Sequence, residues 1–195
     1  MQLDTKKNED DSGQEAPRQV LVVLTDELTE PGLIDQLQRQ LPSERDRIMV
    51  VAPAVEKTPL HHALGDIDTA TREAQRRLEN SLEELRTRGY SALGHVGDAD
   101  PIVAAEDALR LYPADEVLIV AHSEEQKRWF EDGLFDRAQE QLYPAVRMVV
   151  VRHEESGEPH LADVKRAGPG RKPAAAEGGG GQSLWQRIRR RLAWG

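Results

Sequence analysis

The stretch DEVLIVAHSEEQKRWFEDGLFD, Asp115 to Asp136, opens as a strand and leaves it through an acidic turn. Its first part, EVLIVA (116–121), is aliphatic with no polar alternation, as in strands covered on both faces. QVLVVLT (19–25), RIMVVA (47–52) and AVRMVVV (145–151) read the same way, and SALGHVG (91–97) is a weaker fifth. In many α/β proteins a strand of this kind runs into a glycine-rich phosphate cradle. Here no glycine follows until Gly133.

Helical patterns separate the runs. EPGLIDQLQRQL has Pro31 in its first turn and places Leu33, Ile34, Leu37 and Leu41 on one side. DTATREAQRRLENSLEELRTRG turns Ala74, Leu78, Leu82 and Leu85 inward and stops at Gly89, its Arg and Glu positions forming a solvated face. DADPIVAAEDALRLY has Asp100 as N-cap, Pro101 at the first helical position, and Ile102, Val103, Ala105 and Leu109 inward. SEEQKRWFEDGLFDRAQEQLY supplies a last helix, weakened at Gly133. The alternation βαβαβαβαβ predicts a five-stranded parallel sheet with helices on both faces and right-handed crossovers.

The ends have a different composition. Residues 1–17 are polar and charged, too poor in apolar groups to offset the entropy of ordering, and read as a disordered arm. The folded domain is expected over 18–153. Residues 154–182, with GPGRKPAAAEGGGGQ, read as a flexible Gly/Pro/Ala linker. Residues 183–195, SLWQRIRRRLAWG, read as a cationic amphipathic helix capped by Ser183. Leu184, Trp185, Ile188 and Leu192 share one arc, Arg187, Arg189, Arg190 and Arg191 surround it, and Trp194 lies near the end.

Residues 165–195 hold eight Lys/Arg and one Glu, +7 in a chain whose formal charge is −9, which leaves −16 for the remainder. An acidic body argues against general nucleic-acid binding, whereas the basic tail suits an anionic membrane surface or a groove in a protein partner. The chain has no cysteine, which excludes disulfides, thiolate metal sites and thiol catalysis. Without an apolar leader or a run of about 20 apolar residues, a soluble, cytoplasmic protein is expected, or one peripheral at the inner membrane face through its tail.

Ligands of open parallel sheets bind beyond the carboxyl ends of the strands, where strand order reverses. That rule nominates Asp26, Gly97, Asp98, His122 and Ser123, and with Gly133 these six make up a candidate pocket. Each has a plainer explanation as well. A carboxylate after a strand caps the next turn, and a Gly-Asp pair before a helix satisfies local geometry. His122 has the ionisation range of an acid or base, but the sequence alone assembles no serine, aspartate and histidine arrangement around it. His61, His62 and Asp66 are potential metal ligands, yet adjacent histidines do not readily face one ion, and a solvated loop with no metal is the simpler reading.

Three features make residues 18–153 resemble the universal stress protein family. The first strand ends in an aspartate, LVVLTD at Asp26; HVGDADPIVAAEDAL is similar to the family's strand, Gly-Asp turn and helix; and GLFDRAQEQLYPAVRMVVV is similar to its last helix and strand. The resemblance implies a Rossmann-like, adenine nucleotide alpha hydrolase-like fold, a role in stress response, and a homodimer paired through the last strand, VRMVVV, otherwise an exposed apolar edge. It also implies an ATP motif, Gly-x2-Gly-x9-Gly-Ser/Thr, after the fourth strand. Counted back from Gly133, the first two glycine positions fall on Val120 and Ser123; counted forward from the strand end, they fall nearer His122 and Glu125. Leu134 stands where the hydroxyl belongs. Glu124, Glu125, Glu131 and Asp132 outnumber Lys127 and Arg128, so a triphosphate meets net repulsion. The expectation is a non-catalytic regulatory or interaction domain without a cofactor, with degenerate ATP or AMP binding and peripheral membrane association as the alternatives.

Overall fold

A computed structural model describes residues 16–25, 27–28, 33–37, 39–55, 67–122, 133–153 and 159–170. The elements are β1 (Gln19–Leu24), α1 (Leu33–Leu37), β2 (Arg47–Pro53), α2 (Ile67–Thr87), β3 (Ser91–Gly97), α3 (Pro101–Leu111), β4 (Glu116–His122), α4 (Leu134–Gln141), β5 (Ala145–His153) and β6 (Pro159–Ala167). They form an α/β fold around one mostly parallel sheet with the order β3-β2-β1-β4-β5-β6. Neighbours among the first five strands are parallel, and β6 is antiparallel to β5.

Successive strand residues point in opposite directions, so a strand without polar alternation serves two apolar clusters. Val20, Val22 and Leu24 of β1 join Leu33 and Leu37 of α1 and Ala74, Leu78 and Leu82 of α2. Leu21 and Val23 join Ile102, Ala105 and Ala108 of α3 and Leu134 and Ala138 of α4. The stripes expected on the helices are buried, with one exception: Val103 is exposed, because it lies about 100° around the helix from Ile102 and away from the buried arc.

The sheet has six strands where the sequence led us to expect five, and the sixth lies inside the segment read as linker. The reason is a β-bulge. Val150 pairs with Asp163 and Val151 with Leu161, so Ala162 is an extra residue on β6. The bulge interrupts the period of two: Leu161 and Val164, three positions apart, both pack on the first cluster, while Ala162 packs on the second. Leu161 N–H donates to Gln36 Oε1 (3.1 Å), Arg166 Nη2 donates to Gln40 Oε1 (3.0 Å), and Lys165 Nζ sits 5.7 Å from the centre of the Phe135 ring. VRMVVV is therefore no exposed edge, because β6 occupies its outer side.

Two helices approach β3 closely at glycines. A Cβ on Gly94 would lie 2.6 Å from Leu78 Cδ1 of α2 and 2.7 Å from the Val50 carbonyl oxygen. Backbone cannot yield as a side-chain tip can. Overpacking of this kind costs about 1–3 kcal/mol, so Gly94→Ala is expected to lower the urea midpoint with an unchanged m-value, and an unaltered midpoint would contradict the packing described.

Candidate functional site

Strand order reverses between β1 and β4, since β2 and β3 lie to one side of this pair and β5 and β6 to the other. The crevice rule puts a ligand beyond their carboxyl ends. Of the six residues expected there, Asp26 and Ser123 lie outside the described residues, as do His61, His62, Asp66 and the whole of 183–195. Gly97, Asp98, His122 and Gly133 are described.

Thr25 immediately follows β1 and is buried. Its N–H and its hydroxyl both donate to the Val120 carbonyl of β4, at 3.2 and 3.0 Å. The hydroxyl closes the strand pair. His122, 1% exposed, is the last residue of β4 and pairs in register with Val151 of β5.

Gly97 ends β3. A Cβ there would lie 2.7 Å from both Ala104 Cβ of α3 and Val51 Cγ2 of β2, so the glycine is needed for close helix-strand approach. Asp98 is exposed and its Oδ1 accepts from Asp100 N–H (2.9 Å), a turn closed by its own side chain. Asp100 caps α3 as its sequence position predicts, accepting from Ile102 N–H at 2.8 Å and Val103 N–H at 3.5 Å. Its other oxygen accepts from Arg137 Nη2 of α4 at 2.6 Å. Nothing in the sequence pattern linked Arg137 to Asp100, because thirty-seven positions separate them.

The segment after β1 is fastened to α2. Leu28 N–H donates to the buried Ser81 Oγ (3.1 Å), Asn80 Nδ2 donates to Glu27 Oε2 (3.3 Å), and Arg76 lies 3.7 Å from Glu27 Oε1. Arg77, which the amphipathic pattern assigns to a solvated face, is 2% exposed, and its Nη2 donates to the Pro53 carbonyl at the end of β2 (2.6 Å). The signal that places it inward is positional: Arg77 is three residues after Ala74 and four before Ser81, both fully buried. A guanidinium stem fills this packing stripe while its head meets a carbonyl.

Gly133 precedes α4 with φ +67°, the left-handed region. A Cβ there meets nothing nearer than 3.6 Å, so backbone conformation and not space selects glycine. The next residue, Leu134, is 1% exposed within the second cluster.

These groups fix strands and helix ends in place: the Thr25 hydroxyl, the Asp100 carboxylate and the Arg77 guanidinium are engaged in structural bonds. Among the described residues no group of three or more His, Asp or Glu side chains is placed to hold a metal ion. No helix among them is long and apolar enough to cross a membrane. No family model matches the chain, and no curated protein matches it either.

Burial acts to raise the Asp100 pKa, but the hydrogen bonds from Arg137 and the Ile102 and Val103 amides, with the charge of Arg137, outweigh it and hold the carboxyl below its ordinary value. A depressed folded-state pKa means stability that is complete above the unfolded value of about 3.9 and is lost as pH falls through the lower folded value. Asp100→Ala is expected to lose about 1 kcal/mol of cap stabilisation at neutral pH. Its acid-unfolding curve should also flatten below pH 4 relative to wild type, as read by circular dichroism; two superimposable profiles would remove Asp100 from this role.

Proposed function

We propose that this chain is a non-catalytic, universal-stress-like interaction domain, assembled as a homodimer, whose nucleotide site is vacated. In this reading the five parallel strands with helices on both faces are an inherited adenine nucleotide alpha hydrolase-like frame, and β6 is an addition to it. The resemblance at LVVLTD, HVGDADPIVAAEDAL and GLFDRAQEQLYPAVRMVVV supports the frame. The basic tail, 183–195, supplies location at an anionic membrane surface or in a groove of a protein partner.

The observation that carries the vacancy is Leu134. In ATP-binding members of the family a Ser or Thr follows the last glycine and presents its hydroxyl to the nucleotide. Here the equivalent side chain is an apolar one, 1% exposed, packed with Ala138 and Leu142 on the core. A hydroxyl at the same place would face that core and not a ligand. Gly133 accounts for itself as the left-handed residue before α4, so its presence is no sign of a phosphate cradle. The Thr25 hydroxyl is likewise committed to Val120.

Native-state binding raises a melting temperature by mass action, roughly 2.7 kcal/mol of stabilisation when ligand reaches 100 times its Kd. Thermal unfolding of the full chain with ATP, ADP or AMP and Mg²⁺ up to millimolar concentration is expected to show no saturable rise. A saturating shift with any of the three would overturn the vacancy and establish degenerate nucleotide binding in its place.

A further inference from the structure

A cavity of about 230 Å³ is lined by Ile34 of α1, Leu41, Glu44, Arg88 and Tyr90. Glu44 lies three residues before β2 and Tyr90 immediately before β3, so the cavity sits at the amino ends of these strands, away from the switch-point crevice. Local chemistry puts Tyr90 there. Gly89, left-handed at φ +86°, follows α2; its N–H donates to the Arg86 carbonyl (2.9 Å) and the Tyr90 N–H to the Leu85 carbonyl (3.0 Å). This pair of bonds is a Schellman motif, which turns the residue after the glycine back on the helix. Tyr90 is accordingly 8% exposed and joins Leu85, Ile34 and Leu41 in the first apolar cluster.

The polar groups around the cavity are unevenly engaged. Arg88 donates from Nε to Glu84 (2.7 Å) and from Nη1 to Asp35 (2.5 Å), so two carboxylates already hold its charge. Among the described residues, neither Glu44 nor the Tyr90 hydroxyl takes part in a hydrogen bond or an ion pair. Glu44 is exposed, with Oε2 4.0 Å from where a Cβ on Gly89 would stand. Burial first, and then the charge of Glu44, push the Tyr90 phenol above its ordinary range. Three carboxylates against one guanidinium leave the surroundings negative. A phenol buried to this extent without a partner carries a desolvation cost that an N–H donor in the cavity would remove.

We propose that this cavity binds a small primary alkylammonium, its charged head between Glu44 and the Tyr90 hydroxyl and its apolar stem against Ile34 and Leu41. An ammonium has three donors and no acceptor, which matches a carboxylate and a phenol oxygen that can both accept. An anion would meet the unpaired Glu44 and find Arg88 already engaged. The volume falls below the roughly 300–1,000 Å³ of pockets for drug-sized ligands, which limits the occupant to a compact molecule. The Schellman turn holds Tyr90 in place before the ligand arrives, so little ordering is required on binding. Occupancy here is independent of the vacancy proposed at the switch point, at the other end of the strands.

The probe is isopentylammonium, titrated into the full chain at neutral pH to about 10 mM while amide chemical shifts are followed. Isopentanol supplies the same stem without the charge. Saturable changes are expected at Ile34, Leu41, Glu44, Gly89 and Tyr90, with isopentanol binding more weakly. Glu44→Gln is expected to weaken the ammonium at least about fivefold, and Tyr90→Phe, which keeps the ring, about threefold. Glu44 is exposed and Phe fills the space of the Tyr90 ring, so both variants keep the fold, which thermal unfolding checks. The absence of a saturable change, or changes centred on other residues, overturns the site. Equal affinity for isopentanol, or an unaltered affinity in either variant, overturns the recognition of the ammonium head.

Discussion

The pairing of β1 with β4 is the contact from which the rest of the sheet is built. Val20 to Leu24 run in register with Glu116 to Val120, and Thr25 seals the end by giving both its amide and its hydroxyl to one carbonyl. A parallel pair so far apart in sequence needs long crossovers, and the helices of those crossovers must return across the sheet. The chain goes one way for β2 and β3 and the other for β5, which makes this pair the place where strand order reverses.

Single groups join the neighbouring elements as well. Asp100 spends one oxygen on the amides of α3 and the other on Arg137 of α4, so two helices meet above the sheet through one carboxylate. Gly97 and Gly133 serve close approach and backbone conformation, respectively. Leu134 turns into the core. An α/β frame can retain strand order, helix caps and turn glycines for folding reasons alone, and function has to be argued from the groups that remain free to act.

Much of this fold was legible in sequence because buried parallel strands write themselves as aliphatic runs. β1, β2, β4 and β5 lie where such runs are, and the Asp100-Pro101 pair marks the start of α3. β6 was not legible. Its bulge at Ala162 removes the period of two, and its charged residues resemble a linker. Arg77 misled through residue type, since a guanidinium suggests solvent although its position lies on the buried stripe of α2. Of the candidate pocket, His122 and Gly97 are at strand ends as expected, but burial of the first and the helix contact of the second depend on three-dimensional packing. The Asp100–Arg137 pair depends on the meeting of two helices, which no local pattern encodes.

The vacancy proposed for the switch point between β1 and β4 means that it holds no nucleotide. The most direct measurement is residue-resolved: amide chemical shifts of the full chain titrated with ATP and Mg²⁺ to millimolar concentration. The account predicts that Thr25, Gly97, His122, Gly133 and Leu134 keep their shifts throughout. Saturable changes concentrated on those residues would contradict it, and would place a nucleotide in the crevice despite the buried Leu134.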